Sequence, residues 1–219
     1  MASHSTATRF FLIVATLNAT VLLTACINIP TSDAFTETAV DLPASTSIDV
    51  NDDIVLLGDS TDGENGIGSG AAFVYAPSTS RRWDKRQKLI APDGDSFDNF
   101  GAAVVVGEGI LVVSAPKDND AGELSGSVYM FTGNLKDGWV FQSKLLPPDG
   151  EAVRAFGHML ALEGDILAVG ARDGLLPAYV YVFERASDGA WHAQGRLEAP
   201  QDSRGSRFGT SFSLSGDLL

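Results

Sequence analysis

The sequence predicts an all-β protein, a β-propeller of four-stranded antiparallel blades, and three observations predict it. The first is a period. Trp83, Trp139 and Trp191 each lie 17 residues before a Phe-Gly pair, at Phe100-Gly101, Phe156-Gly157 and Phe208-Gly209, so both markers recur at spacings of 56 and 52. Leu89, Leu145 and Leu197 follow the tryptophans in the same register, as do Pro92, Pro148 and Pro200, and the aromatic pairs Phe73/Tyr75, Tyr129/Phe131 and Tyr181/Phe183 complete the unit. Self-similarity at such a period marks a repeat architecture. The second is turn chemistry that cuts the clearest unit into four short strands: Ala102–Val106, Ile110–Ser114, Ser127–Phe131 and Trp139–Leu145. Gly107-Glu108-Gly109, the Asp/Gly-rich stretch from Lys117 to Gly126, and Gly133 to Gly138 separate them. The third is the change of pattern between strands. Ile110-Leu111-Val112-Val113 is apolar without alternation, as a strand covered on both faces must be. Trp139 to Leu145 alternates, with Trp139, Phe141, Ser143 and Leu145 on one side and Val140, Gln142 and Lys144 on the other. A sheet buried inside and half exposed outside is what radial stacking requires. A β-sandwich needs no such repeat, and a β-helix has shorter rungs.

The elements follow in order. Residues 1–25 read as a secretory signal: Arg9 precedes the apolar run Phe10 to Leu23, which is shorter than the ~20 residues that span a bilayer. Leu23-Thr24-Ala25-Cys26 resembles the bacterial lipobox, in which cleavage falls before the cysteine and its thiol takes a diacylglyceryl group. Cys26 is the only cysteine in the chain. That resemblance makes Cys26 the lipidated mature N-terminus, with acyl chains such as palmitate, and Ile27 after it resembles the outer-membrane sorting pattern. The expected address is the bacterial cell envelope, lipid-anchored at the outer membrane. Residues 26–43, rich in Thr, Ser, Ala and Pro, read as a tether. Blade 1 occupies 44–99 in degenerate form, blade 2 100–155, blade 3 156–207, and 208–219 begins a fourth.

These residues resemble the FG-GAP repeat of the integrin-alpha N-terminal propeller and of bacterial envelope lipoproteins, over Ala44 to Leu219. The Gly-Ala-Pro element appears only in part, as Ser114-Ala115-Pro116 and Gly170-Ala171-Arg172, and Ala44-Ser45 stands where the first Phe-Gly would be. The Phe of each pair is expected to wedge between blades, and its Gly to let two backbones approach. Closed propellers take four to eight blades. Three units and one strand of a fourth therefore imply part of a longer propeller, monomeric, or alternatively a half-propeller that closes by dimerisation.

The resemblance implies calcium as the one cofactor, held in the loop after the second strand. Asp118 and Asp120 with Gly122 match the start of such a turn, and Asp62 and Glu64 with Gly66 align with them. Each loop lacks a third acid, and the motif's final Asp is Gly126 or Gly70. The alternative is a solvated turn whose acids and glycines satisfy turn geometry. The third unit, Arg172 to Pro177, is four residues too short to form the loop.

Other candidates are discounted. Gly66-Ile67-Gly68-Ser69-Gly70 lies in a hairpin with no helix after it to bind phosphate. His158 and His192 fall at unrelated repeat positions, and Glu163/Asp165 sit on a turn. Arg81, Arg82, Lys85, Arg86 and Lys88 form a basic cluster read as a solvated rim or a contact for anionic envelope material; Arg86 and Lys88 are expected to share the polar side of their strand with Asp84. With 15 basic against 28 acidic residues and a net charge of −13, nucleic acid is excluded as a partner. The expected function is a non-catalytic binding, scaffold or adhesion-like module with an envelope protein or glycan partner. The alternative is a propeller hydrolase or lyase whose active site other blades complete.

Overall fold

The computed structural model describes residues 11–13, 24–26, 46–51, 53–79, 83–149, 153–173, 176–198 and 208–216. Arg81, Arg82, the Ala44-Ser45 position, the closing residues 217–219 and nearly all of the expected signal and tether lie outside them. Two units divide the chain, Met1–Ala44 and Ser45–Leu219. In the first, β1 (Phe11–Ile13) pairs antiparallel with β2 (Thr24–Cys26), with Phe11 opposite Cys26.

The second unit consists of three four-stranded antiparallel sheets, and no helix occurs among the described residues. The first sheet is β3 (Thr46–Asn51), β4 (Ile54–Asp59), β5 (Ala71–Pro77) and β6 (Trp83–Leu89). The second is β7 (Val104–Gly107), β8 (Ile110–Ala115), β9 (Ser127–Asn134) and β10 (Gly138–Leu145). The third is β11 (Arg154–Glu163), β12 (Ile166–Asp173), β13 (Leu176–Arg185) and β14 (Trp191–Glu198). In each, strands follow one another as a meander in chain order, which is consistent with the blades of a partial β-propeller.

Hydrophobic burial joins consecutive sheets. Every residue of β8 is buried. Because side chains alternate along a strand, Leu111 and Val113 enter a cluster with Leu56, Val74 and Leu89 of the first sheet, while Ile110 and Val112 enter one with Leu167, Val169 and Phe183 of the third. The Phe-Gly pairs close these two junctions. Phe100 and Phe156 are fully buried. Phe100 meets Tyr129 edge-on at 5.3 Å and Phe131 at 6.1 Å, and Phe156 meets Tyr181 at 5.6 Å and Phe183 at 6.0 Å. The glycine after the wedge is required at Gly101, where φ is 89° and a Cβ would stand 2.2 Å from the Ala71 carbonyl oxygen.

The outermost strand departs from the expected alternation. Its pairing slips by one residue between Phe141 and Ser143, between Tyr75 and Val74 opposite Arg86, and between Val182 and Phe183 opposite Gln194. The unpaired residue is the third after the tryptophan each time, at Arg86, Gln142 and Gln194. A bulge shifts all later side chains to the opposite face. Ser143 and Leu145 therefore do not share a side with Trp139 and Phe141, and Lys144 comes to lie opposite Tyr129. Lys88 likewise lies opposite Phe73 while Asp84 lies opposite Ala76, so the two do not share the expected polar side.

Candidate functional site

The bulge gathers charge at the edge of each sheet. Lys88, Lys144 and Arg196 each stand five residues after a tryptophan and pair across the ladder with Phe73, Tyr129 and Tyr181. The expected loop acids meet these cations. Lys144 Nζ lies 2.7 Å from Asp118 Oδ2, 2.5 Å from Asp120 Oδ2 and 2.9 Å from Asp93 Oδ2. It sits 4.9 Å from the centre of the Tyr129 ring. Of its three N–H donors, hydrogen bonds to Asp93 and Asp120 use two, and Asp118 pairs with the same charge. Asp118, 4% exposed at its side chain, also accepts from Ser127 Oγ at 2.7 Å, Tyr129 OH at 2.8 Å and the Asp120 N–H at 2.8 Å. Tyr129 OH lies 2.9 Å from Asp93 Oδ1 as well, so its single proton stands between two carboxylates.

The electrostatics follow from this crowding. Burial alone raises the Asp118 carboxyl, but hydrogen bonds from Lys144, Ser127, the Asp120 N–H and Tyr129 outweigh it and hold the group below the usual carboxylate range. Burial opposes the Lys144 charge, and the bonds to Asp118 and Asp120 overcome it and push the ammonium well above its ordinary value. Tyr129 is pushed up by burial and by the Asp118 charge beside it.

In the first sheet Lys88 bonds both oxygens of Asp62 at 2.9 Å and also Glu64, with Phe73 5.6 Å beneath it. Glu64 is 70% exposed at its side chain. In the third sheet Arg196 bonds Asp149 and Glu198, and Tyr181 OH donates to Asp149 at 2.7 Å. Asp93 and Asp149 occupy the same repeat position after Pro92 and Pro148. Each crosses from the linker of one sheet to the tyrosine of the next.

The acid loops also position the wedges. Gly70 N donates to the Asp62 carbonyl and Gly126 N to the Asp118 carbonyl, both at 2.9 Å; Ser69 and Ser125 then accept from Phe100 N and Phe156 N at 2.9 Å. Outside the loop, Gln87 clasps the Trp139 backbone, donating to its carbonyl at 2.7 Å and accepting from its N–H at 2.8 Å.

Asp62, Glu64, Asp118 and Asp120 are thus gathered around lysines. Among the described residues no group of three or more His, Cys, Asp or Glu converges closely enough to hold a metal ion. His158 is remote from His192: its Nε2 lies 3.1 Å from the Gly209 carbonyl oxygen, and His192 is exposed on β14. Glu163 and Asp165 are exposed at their turn. Of Cys26 only the backbone pairing is described. The cation after each tryptophan is lost to sequence reasoning when period-2 alternation is read through the bulge, although its recurrence is visible in the sequence.

The sequence profile described as FG-GAP repeat matches residues 83–131 and 139–183. These are FG-GAP repeats. Both matches begin at a tryptophan, so each FG-GAP unit runs from the outer strand of one sheet through three strands of the next. Such repeats suggest a binding or adhesion-like module. Among curated proteins none matches the chain at a significant level.

Proposed function

We propose that this chain is a non-catalytic binding or scaffold module of the bacterial envelope, lipid-anchored through Cys26 at the outer membrane, with a protein or glycan partner. One observation carries the binding role. Phe97 and Ile67 are 60% and 73% exposed, side by side at the loop end, with Phe97 N donating to the Ile67 carbonyl at 2.8 Å. Phe97 holds a φ of 74°, a conformation that costs a bulky residue about 1–2 kcal/mol. An aromatic kept strained and solvated serves no packing purpose, and such outliers cluster at contact sites. The loop acids, Lys88, Lys144 and Arg196 are spent on ion pairs within the sheets and junctions, Glu163 and Asp165 sit on an exposed turn, and His158 and His192 lie apart, which supports binding over catalysis.

The lipobox-like run and the single cysteine support the anchor. No helix among the described residues is long and apolar enough to cross a membrane, and one acyl chain alone holds a protein only marginally. The test expresses wild type, Cys26→Ser and Phe97→Gly in the source bacterium with labelled palmitate and a cleavable crosslinker. Label and membrane association are expected in wild type and lost in Cys26→Ser. Phe97→Gly is expected to stay lipidated and folded while losing the wild-type crosslinked partner. Retained label in Cys26→Ser overturns the anchor, and unchanged crosslinks in Phe97→Gly overturn the contact surface.

A further inference from the structure

The geometry points to a replacement: the Lys144 ammonium is the resident cation of the Asp93–Asp118–Asp120 cluster, so the junction between the first two sheets is held without the calcium that the FG-GAP resemblance implies. Three features carry this. Calcium takes six to eight oxygens at 2.3–2.6 Å, whereas three carboxylate oxygens here surround one ammonium nitrogen at 2.5–2.9 Å. The remaining Asp118 contacts are donors, Ser127 Oγ, Tyr129 OH and the Asp120 N–H, and a donor pointed at a carboxylate competes with a metal for the same lone pairs.

The second feature is the end of the loop. Gly126 stands where the motif's last acid would be, with a φ of 82° and Cβ space blocked by the Phe156 carbonyl oxygen at 2.3 Å. Gly70 repeats this at φ 86°, 1.9 Å from the Phe100 carbonyl oxygen. Hydrogen-bonded registration of the Phe-Gly wedge therefore excludes a side-chain ligand from that position in both loops. The third is the recurrence. Lys88 fills the equivalent place over Asp62 and Glu64, and Arg196 keeps its place where the loop is four residues shorter, taking the linker Asp149 and Glu198. A cation at this register position is a property of all three sheets, independent of whether a calcium-type loop is present.

The test measures thermal unfolding of the full chain in EDTA and in calcium at about 1 mM, the weak end of extracellular affinities, and terbium luminescence in chelator-free buffer. The wild type is expected to show the same Tm in both and no terbium signal from the nearby Tyr129 and Trp139. Lys144→Met, which leaves three carboxylates unneutralised, is expected to melt lower in EDTA and to regain about 3 °C in calcium. A calcium-dependent Tm or terbium signal in the wild type overturns the proposal whether or not the variant folds. A folded Lys144→Met that gains no calcium response overturns the lysine as the group that holds the cation's place.

Discussion

The junction between the first and second sheets and that between the second and third share one wedge, one tyrosine and one linker aspartate, yet differ in how they hold charge. In the first, Lys144 is 13% exposed and meets three acids, two from the loop of its own sheet. In the second, Arg196 is 34% exposed and meets Asp149 from the preceding linker and Glu198 from its own strand. The apolar part is equivalent, with Phe100 and Phe156 fully buried against paired aromatics. The difference teaches that the apolar wedge is the obligatory part of the repeat and that the polar cluster adapts to whatever acids the local loop offers.

Removing a wedge should break both junctions alike. Phe100→Ala and Phe156→Ala are each expected to lose about 3–5 kcal/mol by chemical denaturation; a difference of more than about 2 kcal/mol between them would show that the junctions are not equivalent in their cores. The charge clusters should separate them. Lys144→Met strands a buried Asp118 and is expected to cost about 3 kcal/mol, whereas Arg196→Met, at a half-exposed pair, should cost about 1 kcal/mol or less. Equal losses would erase the contrast. The clasp comes next: Gln87→Ala removes two hydrogen bonds to the Trp139 backbone and should cost about 1 kcal/mol, while Gln142→Ala, which loses one exposed 3.3 Å bond to the Gly189 carbonyl, should be silent in the same melt.

A pH-dependent effect lies beyond both junctions, at His158. Burial foremost, and the Arg172 charge, lower its pKa, so the folded ring is neutral where the unfolded chain takes up a proton. Its contribution is therefore complete above the unfolded value of about 6.5 and is lost as pH falls below it toward the folded pKa. Stability measured from neutral pH into this range should fall more steeply in the wild type than in His158→Gln. Parallel profiles would remove the histidine from the account.

Much of the fold is legible in the sequence. The 56- and 52-residue spacings place the wedges and outer strands, and the uninterrupted apolar run Ile110 to Val113 marks a doubly covered strand by composition alone. What misleads is periodicity carried through Arg86, Gln142 and Gln194. Nothing in a glutamine or arginine announces that it stands unpaired, because a bulge is decided by the cross-strand partner, and that partner lies ten or so residues away in the chain. Reading through it places Lys88 and Lys144 among solvent-facing residues and leaves the loop acids without visible counter-ions. Asp93 is hidden for another reason. Its role depends on reaching across to Tyr129 of the following sheet, 36 residues on, which no local pattern encodes.

The offset between FG-GAP unit and sheet has a further consequence for how such chains change length. A segment from one tryptophan to the next carries an outer strand, a linker aspartate, a wedge and the three strands it locks, while the cation that meets its loop acids comes from the next segment, as Lys144 does for Asp118 and Asp120. Duplicating or deleting it in tandem would join strands at the same repeat position, and each loop would meet the cation of whichever unit follows. A cut at the sheet boundary would part Asp93 from Tyr129, and a cut at the tryptophan would part Lys144 from Asp118; either is made good by a whole repeat, because Lys88 and Arg196 stand where Lys144 does and Asp149 where Asp93 does.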